Sequence, residues 1–219
     1  MGLKTNQIKS KERVADFGEV FTSEREVSAM CDLVKGETER IESRFLEPAC
    51  GNGNFLAEVL GRKLNVVNKR YGKSQLDYEK YSFIAVASIY GVELLLDNVA
   101  ECRWRLFLIW KKNFEQQFGE GSAIEIEGII NYVLKKNILC GDALTLLDSK
   151  KKPLIFSEWS FVQGTKVKRR EFELSVLMDT EKAQMDMFTT EWSEELQCRV
   201  PLPIKVYPLT DFKRIAEDG

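Results

Sequence analysis

The sequence predicts an α/β fold with a mostly parallel sheet and helices on both faces. Apolar residues at helical spacing alternate along the 219 residues with short runs typical of buried strands. Strands separated by helices need crossover connections, and these connections produce parallel pairing. The composition, 44% hydrophobic and 30% charged, is that of an ordinary globular protein.

The predicted elements follow one another as helix, strand, helix, helix, strand, helix, helix, strand, strand. Ser23 and Glu26 have the spacing of a capping box and predict where the first helix begins. Helices are predicted over 24–33, from 55, over 75–87, from 95 and from 126. Strands are predicted at 44–47, 89–93, 137–142 and 154–157. Residues 1–16 are polar, and we expect them to fray.

The pattern changes near residue 160. Residues 166–168 and 171–176 alternate with period two around Gly164, which predicts a hairpin. We therefore expect one domain over residues 1–160 and a hairpin-like C-terminal extension, 161–219, packed on it.

The chain contains no histidine. Its absence excludes Ser-His-Asp and Cys-His catalysis, the HExxH zinc enzymes and almost every catalytic zinc site. The five cysteines are scattered without a CxxC pair, which excludes a zinc ribbon or thioredoxin-like site and predicts reduced thiols. We therefore predict no metal site, and any chemistry must use carboxylates, hydroxyls, amides, backbone groups or a cofactor.

No apolar run approaches the ~18 residues that span a bilayer. The polar, basic N-terminus lacks the apolar stretch of a signal peptide. We expect a cytoplasmic protein with no membrane partner. The net charge of −2 provides no overall attraction for nucleic acid, so such binding would need a local basic patch.

The most informative motif is FLEPACGNGNFL, residues 45–56. A buried strand ends in Glu47, and a Gly-x-Gly turn leads into a helix. Gly51 and Gly53 would let the backbone approach a ligand where a Cβ would clash, and the helix N-terminus offers N–H groups to an anion. Taken alone, such a turn is equally typical of an ordinary strand-to-helix connection that needs a positive φ.

The whole string resembles motif I of the S-adenosylmethionine-dependent DNA methyltransferases. It is most similar to the adenine-N6 enzymes, including the modification subunits of type I restriction systems. Their signature is Asp-Pro-Ala-Cys-Gly-x-Gly-x-Phe-Leu, and Glu47 stands here in the Asp position. Residues 17–22, FGEVFT, resemble motif X, Gly-x-x-Phe-Thr-Pro, with Ser23 in place of the proline. This pair of motifs, in this order, argues against a methyltransferase of small molecules or proteins.

The resemblance implies a Rossmann-like class I methyltransferase fold with S-adenosylmethionine as its cofactor. Glu93 resembles the motif II acid that binds the ribose hydroxyls, and Asp142 resembles the motif III Asp that accepts from the cofactor's adenine. An Asx-turn at the strand end is the alternative interpretation of Asp142. The cofactor-binding residues implied are Phe21, Thr22, Glu47, Ala49, Cys50, Gly51, Gly53, Asn54, Phe55, Glu93, Leu94, Asp142 and Ala143.

The family's catalytic motif IV, Asp/Asn-Pro-Pro-Tyr/Phe, is missing from the chain. The fourth predicted strand leads instead into Ser157, Glu158 and Trp159, which become the candidate catalytic residues. Their oxygens could accept from a flipped adenine while the indole ring stacks on it. The alternative is that Trp159 is a core aromatic residue. Without the two prolines that make the turn rigid, we expect the isolated chain to methylate DNA poorly.

The resemblance implies methyl transfer to adenine in DNA within a restriction-modification system. The alternative is a catalytically inactive cofactor-binding subunit that acts with a partner protein carrying recognition or chemistry. The basic cluster of Lys166, Lys168, Arg169 and Arg170 predicts phosphate contacts with DNA. Protection of an edge strand against aggregation would explain the same charges.

Overall fold

The computed structural model describes residues 8–178, 190–194 and 197–217. Its contacts divide the chain into two compact units, Met1–Cys140 and Gly141–Gly219, whereas the sequence suggested a boundary at residue 160. Within the described ranges, no helix is both long and apolar enough to cross a membrane.

The first unit contains a three-stranded parallel sheet in the part of the chain that is described. Its strands lie side by side in the order β1 (Phe45–Glu47), β2 (Ile89–Glu93) and β3 (Ile138–Cys140). Its helices are α1 (Lys11–Phe17), α2 (Glu24–Leu33), α3 (Lys35–Thr38), α4 (Asn54–Tyr71), α5 (Gln75–Ala87), α6 (Leu96–Phe118) and α7 (Ile124–Asn137). Every residue of the central strand β2 is buried, so this strand lies in the core.

Local signals set most of these boundaries. Ser23 and Glu26 form the expected capping box, and α2 and α5 span the predicted residues. Helix α1 contradicts the expectation that residues 1–16 fray: Ser10 caps it, and Gly18, in the left-handed conformation, ends it. It was missed because it has no apolar periodicity and bonds instead to distant residues of α6. Residues 1–7 lie outside the described residues.

Lys63 is fully buried on the inner face of α4. Its Nζ donates to the carbonyl oxygens of Ile41 and Ser43 and to the Ser88 hydroxyl. Burial lowers the pKa of this amine from 10.5 to about 7. The side chain thereby ties the segment before β1 to the end of α5.

The second unit is built on antiparallel pairs. Its elements are β4 (Ile155–Gln163), β5 (Lys166–Glu173), α8 (Leu174–Met178), β6 (Thr190–Ser193), β7 (Cys198–Pro201), β8 (Lys205–Val206), β9 (Thr210–Asp211) and a 3-10 turn, Phe212–Arg214. Strands β4, β8 and β9 all pair with β5, and β6 pairs with β7. A hairpin at Gly164 is confirmed, because β4 and β5 pair across a turn in which this residue has a φ of +57°. The alternating run predicted over 171–176 is wrong at its end, since residues 174–176 belong to α8.

The prediction of a Rossmann-like methyltransferase fold with a mostly parallel sheet is wrong. Among the described residues the parallel sheet has three strands, and the remaining sheets are antiparallel. The fourth predicted strand is β4, which pairs with β5. A parallel pair needs a crossover of about a dozen or more residues, usually a helix. Residues 141–154, all described, form turns and isolated bridges but no helix, whereas a short turn brings β5 to β4 at little entropic cost.

Candidate ligand-binding site at the glycine loop

The glycine loop, residues 48–53, connects β1 to α4. Gly51 and Gly53 have φ values of +52° and +84°, a region that favours glycine. A Cβ on Gly51 would lie 3.1 Å from the Phe21 ring, and one on Gly53 would lie 2.6 Å from the Cys102 sulfur. Both positions therefore need glycine, but the atoms that approach them here belong to the protein itself.

Glu93, at the end of β2, holds the glycine loop in place. Its Oε2 accepts a hydrogen bond of 2.9 Å from the Gly51 amide, and its Oε1 accepts one of 2.9 Å from the Leu95 amide. Asn98, 1% exposed, also donates to Oε1 at 3.4 Å. Glu93 is thus a structural anchor, with one lone pair on Oε2 left over for a ligand.

Glu47, the last residue of β1, has a buried acceptor without a partner. Its Oε2 has no hydrogen bond to any part of the chain that the structure describes. Burial, and next the charge of Glu93, raise the pKa of this carboxyl from 4.5 to about 7. An unsatisfied buried acceptor costs ~1–3 kcal/mol, so a ligand that donates a hydrogen bond here would recover that energy.

The first turn of α4 offers further polar groups. Among the described residues no side chain caps this helix, whose N-cap is Gly53. Asn54 donates to the Thr22 carbonyl at 2.8 Å and accepts from Arg105. Uncapped N–H groups beside a guanidinium suit an anionic group of a ligand.

A groove of about 600 Å³ opens beside the loop. Phe21, which is 8% exposed, and Thr22 lie in its wall, so both motif X candidates face open space as well as the loop. The complete lining is Val20, Phe21, Thr22, Glu26, Ala29 and Met30. The groove is therefore mainly apolar with one carboxylate.

The structure brings most of the predicted cofactor residues to this edge of the parallel sheet. The group comprises Phe21, Thr22, Glu47, Cys50, Gly51, Gly53, Asn54 and Glu93. Ala49 is exposed, the Phe55 ring lies 6.3 Å from that of Phe45, and Leu94 is 53% exposed.

Asp142 and Ala143 belong to the second unit. Asp142 accepts from the Leu144 amide at 2.8 Å and from the Thr145 hydroxyl at 3.1 Å. The first bond is that of an Asx-turn, the alternative interpretation of this residue. The Leu144 amide is also the main reason why the pKa of Asp142 is lowered.

The candidate catalytic residues also lie in the second unit, within β4 rather than in a turn after a strand. Ser157 accepts from the Arg169 guanidinium at 3.1 Å, and Glu158 forms an ion pair with Arg170 at 2.5 Å. Trp159 is 9% exposed and packs in the core beneath Arg169. All three side chains are therefore engaged within their own sheet.

Successive side chains of β5 point to opposite faces of its sheet, so the residues of the basic cluster do not share one surface. Arg169 is 3% exposed, pairs with Glu171 and lies 4.0 Å from the centre of the Tyr207 ring. Arg170 pairs with Glu158, while Lys166 and Lys168 are exposed. Two of the four proposed phosphate contacts are therefore committed to internal partners.

Sequence reasoning missed a polar group that is connected to Glu93 through Asn98: Lys9, Arg13, Glu19, Asp97 and Asn98. Apart from Glu19, which lies within residues 17–22, they belong to no recognisable motif, and their bonds join residues 79 to 89 positions apart. Asp97 lies in the acidic first turn of α6, which is typical of helix N-termini, and Glu19 lies within the motif X segment; neither signal predicted that these residues meet.

The described residues include no group of three or more His, Cys, Asp or Glu that could hold a metal ion. Comparisons with protein-family models, curated proteins and solved structures found no match to this chain.

Proposed function

We propose that the first unit binds S-adenosylmethionine at the glycine loop. One observation carries the proposal: Glu47 ends a parallel strand with a buried oxygen that lacks a hydrogen-bond partner in the described chain. A hydrogen-bond donor of the cofactor would bond to that oxygen. The motif resemblance of residues 45–56 supports the choice of ligand, and the buried oxygen supports the presence of a binding group.

The charges around the loop suit this ligand. The negative charge of Glu93 disfavours ionisation of Glu47, so a nearby cation would relieve the repulsion. S-adenosylmethionine carries a sulfonium cation and supplies, when bound, an electrophilic methyl group. The uncapped first turn of α4 and Arg105 would hold the carboxylate of the same molecule.

We propose adenine in DNA as the methyl acceptor, on the strength of motifs X and I. A second candidate function has an observation in its favour. Ser157, Glu158 and Trp159 all bind neighbours within the β4–β5 sheet, so none is poised to hold a base. This arrangement favours a cofactor-binding subunit that acts with a partner protein.

Calorimetric titration with S-adenosylmethionine at pH 8 tests the binding proposal. Glu47→Gln keeps the shape of the side chain but removes its charge, so we expect binding at least ~10-fold weaker than in the wild type. Glu39→Gln is the control, because Glu39 forms an exposed ion pair with Lys35 in the α3 region. Equal affinity for wild type and Glu47→Gln, or no binding by the wild type, would contradict the proposal.

Labelled cofactor with unmethylated DNA distinguishes the two functions. Methyl transfer by the purified chain alone supports the enzyme. Binding without transfer, followed by transfer once the product of the neighbouring gene is added, supports the accessory subunit.

A further inference from the structure

Residues 8–22, the N-terminal strap, run from α1 to the glycine loop. The strap contains the seven-residue helix α1, and Phe21 near its end is 8% exposed. A Cβ at Gly51 would meet the Phe21 ring at 3.1 Å, so this ring lies directly against the loop. The Thr22 carbonyl accepts from Asn54, the residue that follows the loop and begins α4.

The other end of the strap is held by charges on the first turns of α6. Lys9 Nζ lies 2.6 Å from Glu101 and 3.3 Å from Asp97. Arg13 bonds to Glu19 within the strap and to Asp97 on α6, both at 2.7 Å. The strap therefore spans from α6 to the glycine loop.

Asn98 connects the strap to the candidate site. Its amide donates to Glu19 of the strap and to Glu93 at 3.4 Å, while its carbonyl oxygen accepts from Lys9 at 2.7 Å. Glu93 in turn accepts from the Gly51 amide. The strap, α6 and the glycine loop are thus connected by one series of hydrogen bonds that passes through the buried side-chain amide of Asn98.

Helix α1 and the surface ion pairs of the strap are weak parts of its attachment. Isolated helices shorter than about 12–15 residues are marginal in water, and α1 has seven. The side chains of Asp97 and Glu101 are 55% and 44% exposed, so their ion pairs contribute little and are screened by salt. Segments held in this way open locally without unfolding of the core.

We propose that the N-terminal strap is a lid over the glycine loop, latched by Lys9 and Arg13 on Asp97. When the latch breaks, Phe21 leaves Gly51 and the loop becomes accessible. When the strap closes, Asn98 bonds Glu19 and Glu93 together and fixes the carboxylate that holds the loop. The identity of the ligand beneath the lid rests on the proposed function, but the opening of the strap does not.

Hydrogen exchange of the full chain without ligand tests the opening. Asp97→Asn removes the negative charge of the Arg13–Asp97 ion pair, and Arg13→Gln removes the positive charge of the same pair. Glu39→Gln is the control, because it removes one charge of an exposed ion pair elsewhere. We expect amides of α1 and the Gly51 amide to exchange about 2- to 5-fold faster in both latch variants, and in the wild type at high salt. Amides of α5 should keep their rates in every variant, which separates strap opening from loss of the fold. Unchanged exchange of α1 and Gly51 in both latch variants would overturn the proposal.

A second measurement tests the lid in binding. We expect S-adenosylhomocysteine, followed by stopped flow, to dissociate several-fold faster from Asp97→Asn than from the wild type or the control. Equal dissociation rates would show that the strap opens without acting as a lid. If the wild type binds neither cofactor form, the proposed function fails, and the exchange of the Gly51 amide alone then decides whether the strap covers the loop.

Discussion

The Gly51 amide donates a hydrogen bond of 2.9 Å to Oε2 of Glu93. This bond joins the loop that follows β1 to the end of β2. Because the other Glu93 oxygen accepts from the Leu95 amide, one buried carboxylate fixes two successive turns at the same edge of the sheet. The residue that the motif resemblance assigned to a ligand therefore contributes to the fold as well.

Glu93→Gln should lower the free energy of unfolding by about 1–3 kcal/mol. The variant loses two charge-assisted bonds, and its amide nitrogen must face a backbone N–H. Urea denaturation measures the change, with Glu39→Gln as a control expected within about 0.5 kcal/mol of the wild type. A Glu93→Gln midpoint equal to that of the wild type would show that the carboxylate does not anchor the loop.

Gly53→Ala should destabilise the protein by about 1–3 kcal/mol, because the new Cβ meets Cys102 at a positive φ. Gly61→Ala is the matched control. Gly61 lies inside α4 with no described atom within 4 Å of the new Cβ, so alanine should stabilise by about 0.5–1 kcal/mol. Thermal denaturation should therefore move the two variants in opposite directions; movement in the same direction would contradict the geometry of the loop.

Glu47 should make stability depend on pH between its ordinary pKa of 4.5 and its raised pKa of about 7. The folded state binds more protons in this window, so the stabilisation is complete below pH 4.5 and is lost as the pH rises through 7. Relative to Glu47→Gln, the wild type should lose roughly 1–3 kcal/mol of unfolding free energy between pH 5 and 8. Parallel pH profiles in urea denaturation would mean that Glu47 is not buried as described.

Lys63 should make stability change with pH in the opposite direction from Glu47, and over a higher pH range. Its folded-state pKa of about 7 lies below the ordinary 10.5, so the unfolded state binds more protons in between. Stability should consequently rise with pH from 7 towards 10.5 in the wild type, and this rise should be absent in Lys63→Met. Lys69→Met, on the exposed face of α4, should retain it. Unfolding measured at pH 7 and 9.5 checks this, and an equal rise in all three proteins would refute it.

If the chain binds nucleic acid, Lys166→Ala with Lys168→Ala should weaken binding to all sequences alike. The salt slope should fall by about 0.9 for each phosphate that a lysine no longer neutralises. Arg169→Ala should instead reduce stability, because it removes the buried partner of Glu171. Titrations at several salt concentrations measure the slope, and an unchanged slope would favour the edge-protection interpretation of the lysines.

The sequence by itself determined the elements whose signals are local. The Ser23–Glu26 capping box marked α2, apolar spacing from residue 55 marked α4, and Gly164 marked the hairpin turn. The glycines of the loop were also evident, because a positive φ and a close approach leave few other residues possible. The capping box and the hairpin turn involve residues a few positions apart, so their energies depend little on the rest of the fold, whereas the close approaches of Phe21 and Cys102 to the loop glycines do depend on it.

Only the tertiary structure decided which distant groups meet. It paired β4 with β5, because a short turn closes at far lower entropic cost than a parallel crossover for which no helix forms. It placed Arg169 in the core, bonded α1 to α6, and buried one oxygen of Glu47 without a partner in the described chain. Such contacts join residues far apart in sequence, and burial and electrostatic energy arise only once the chain has brought them together.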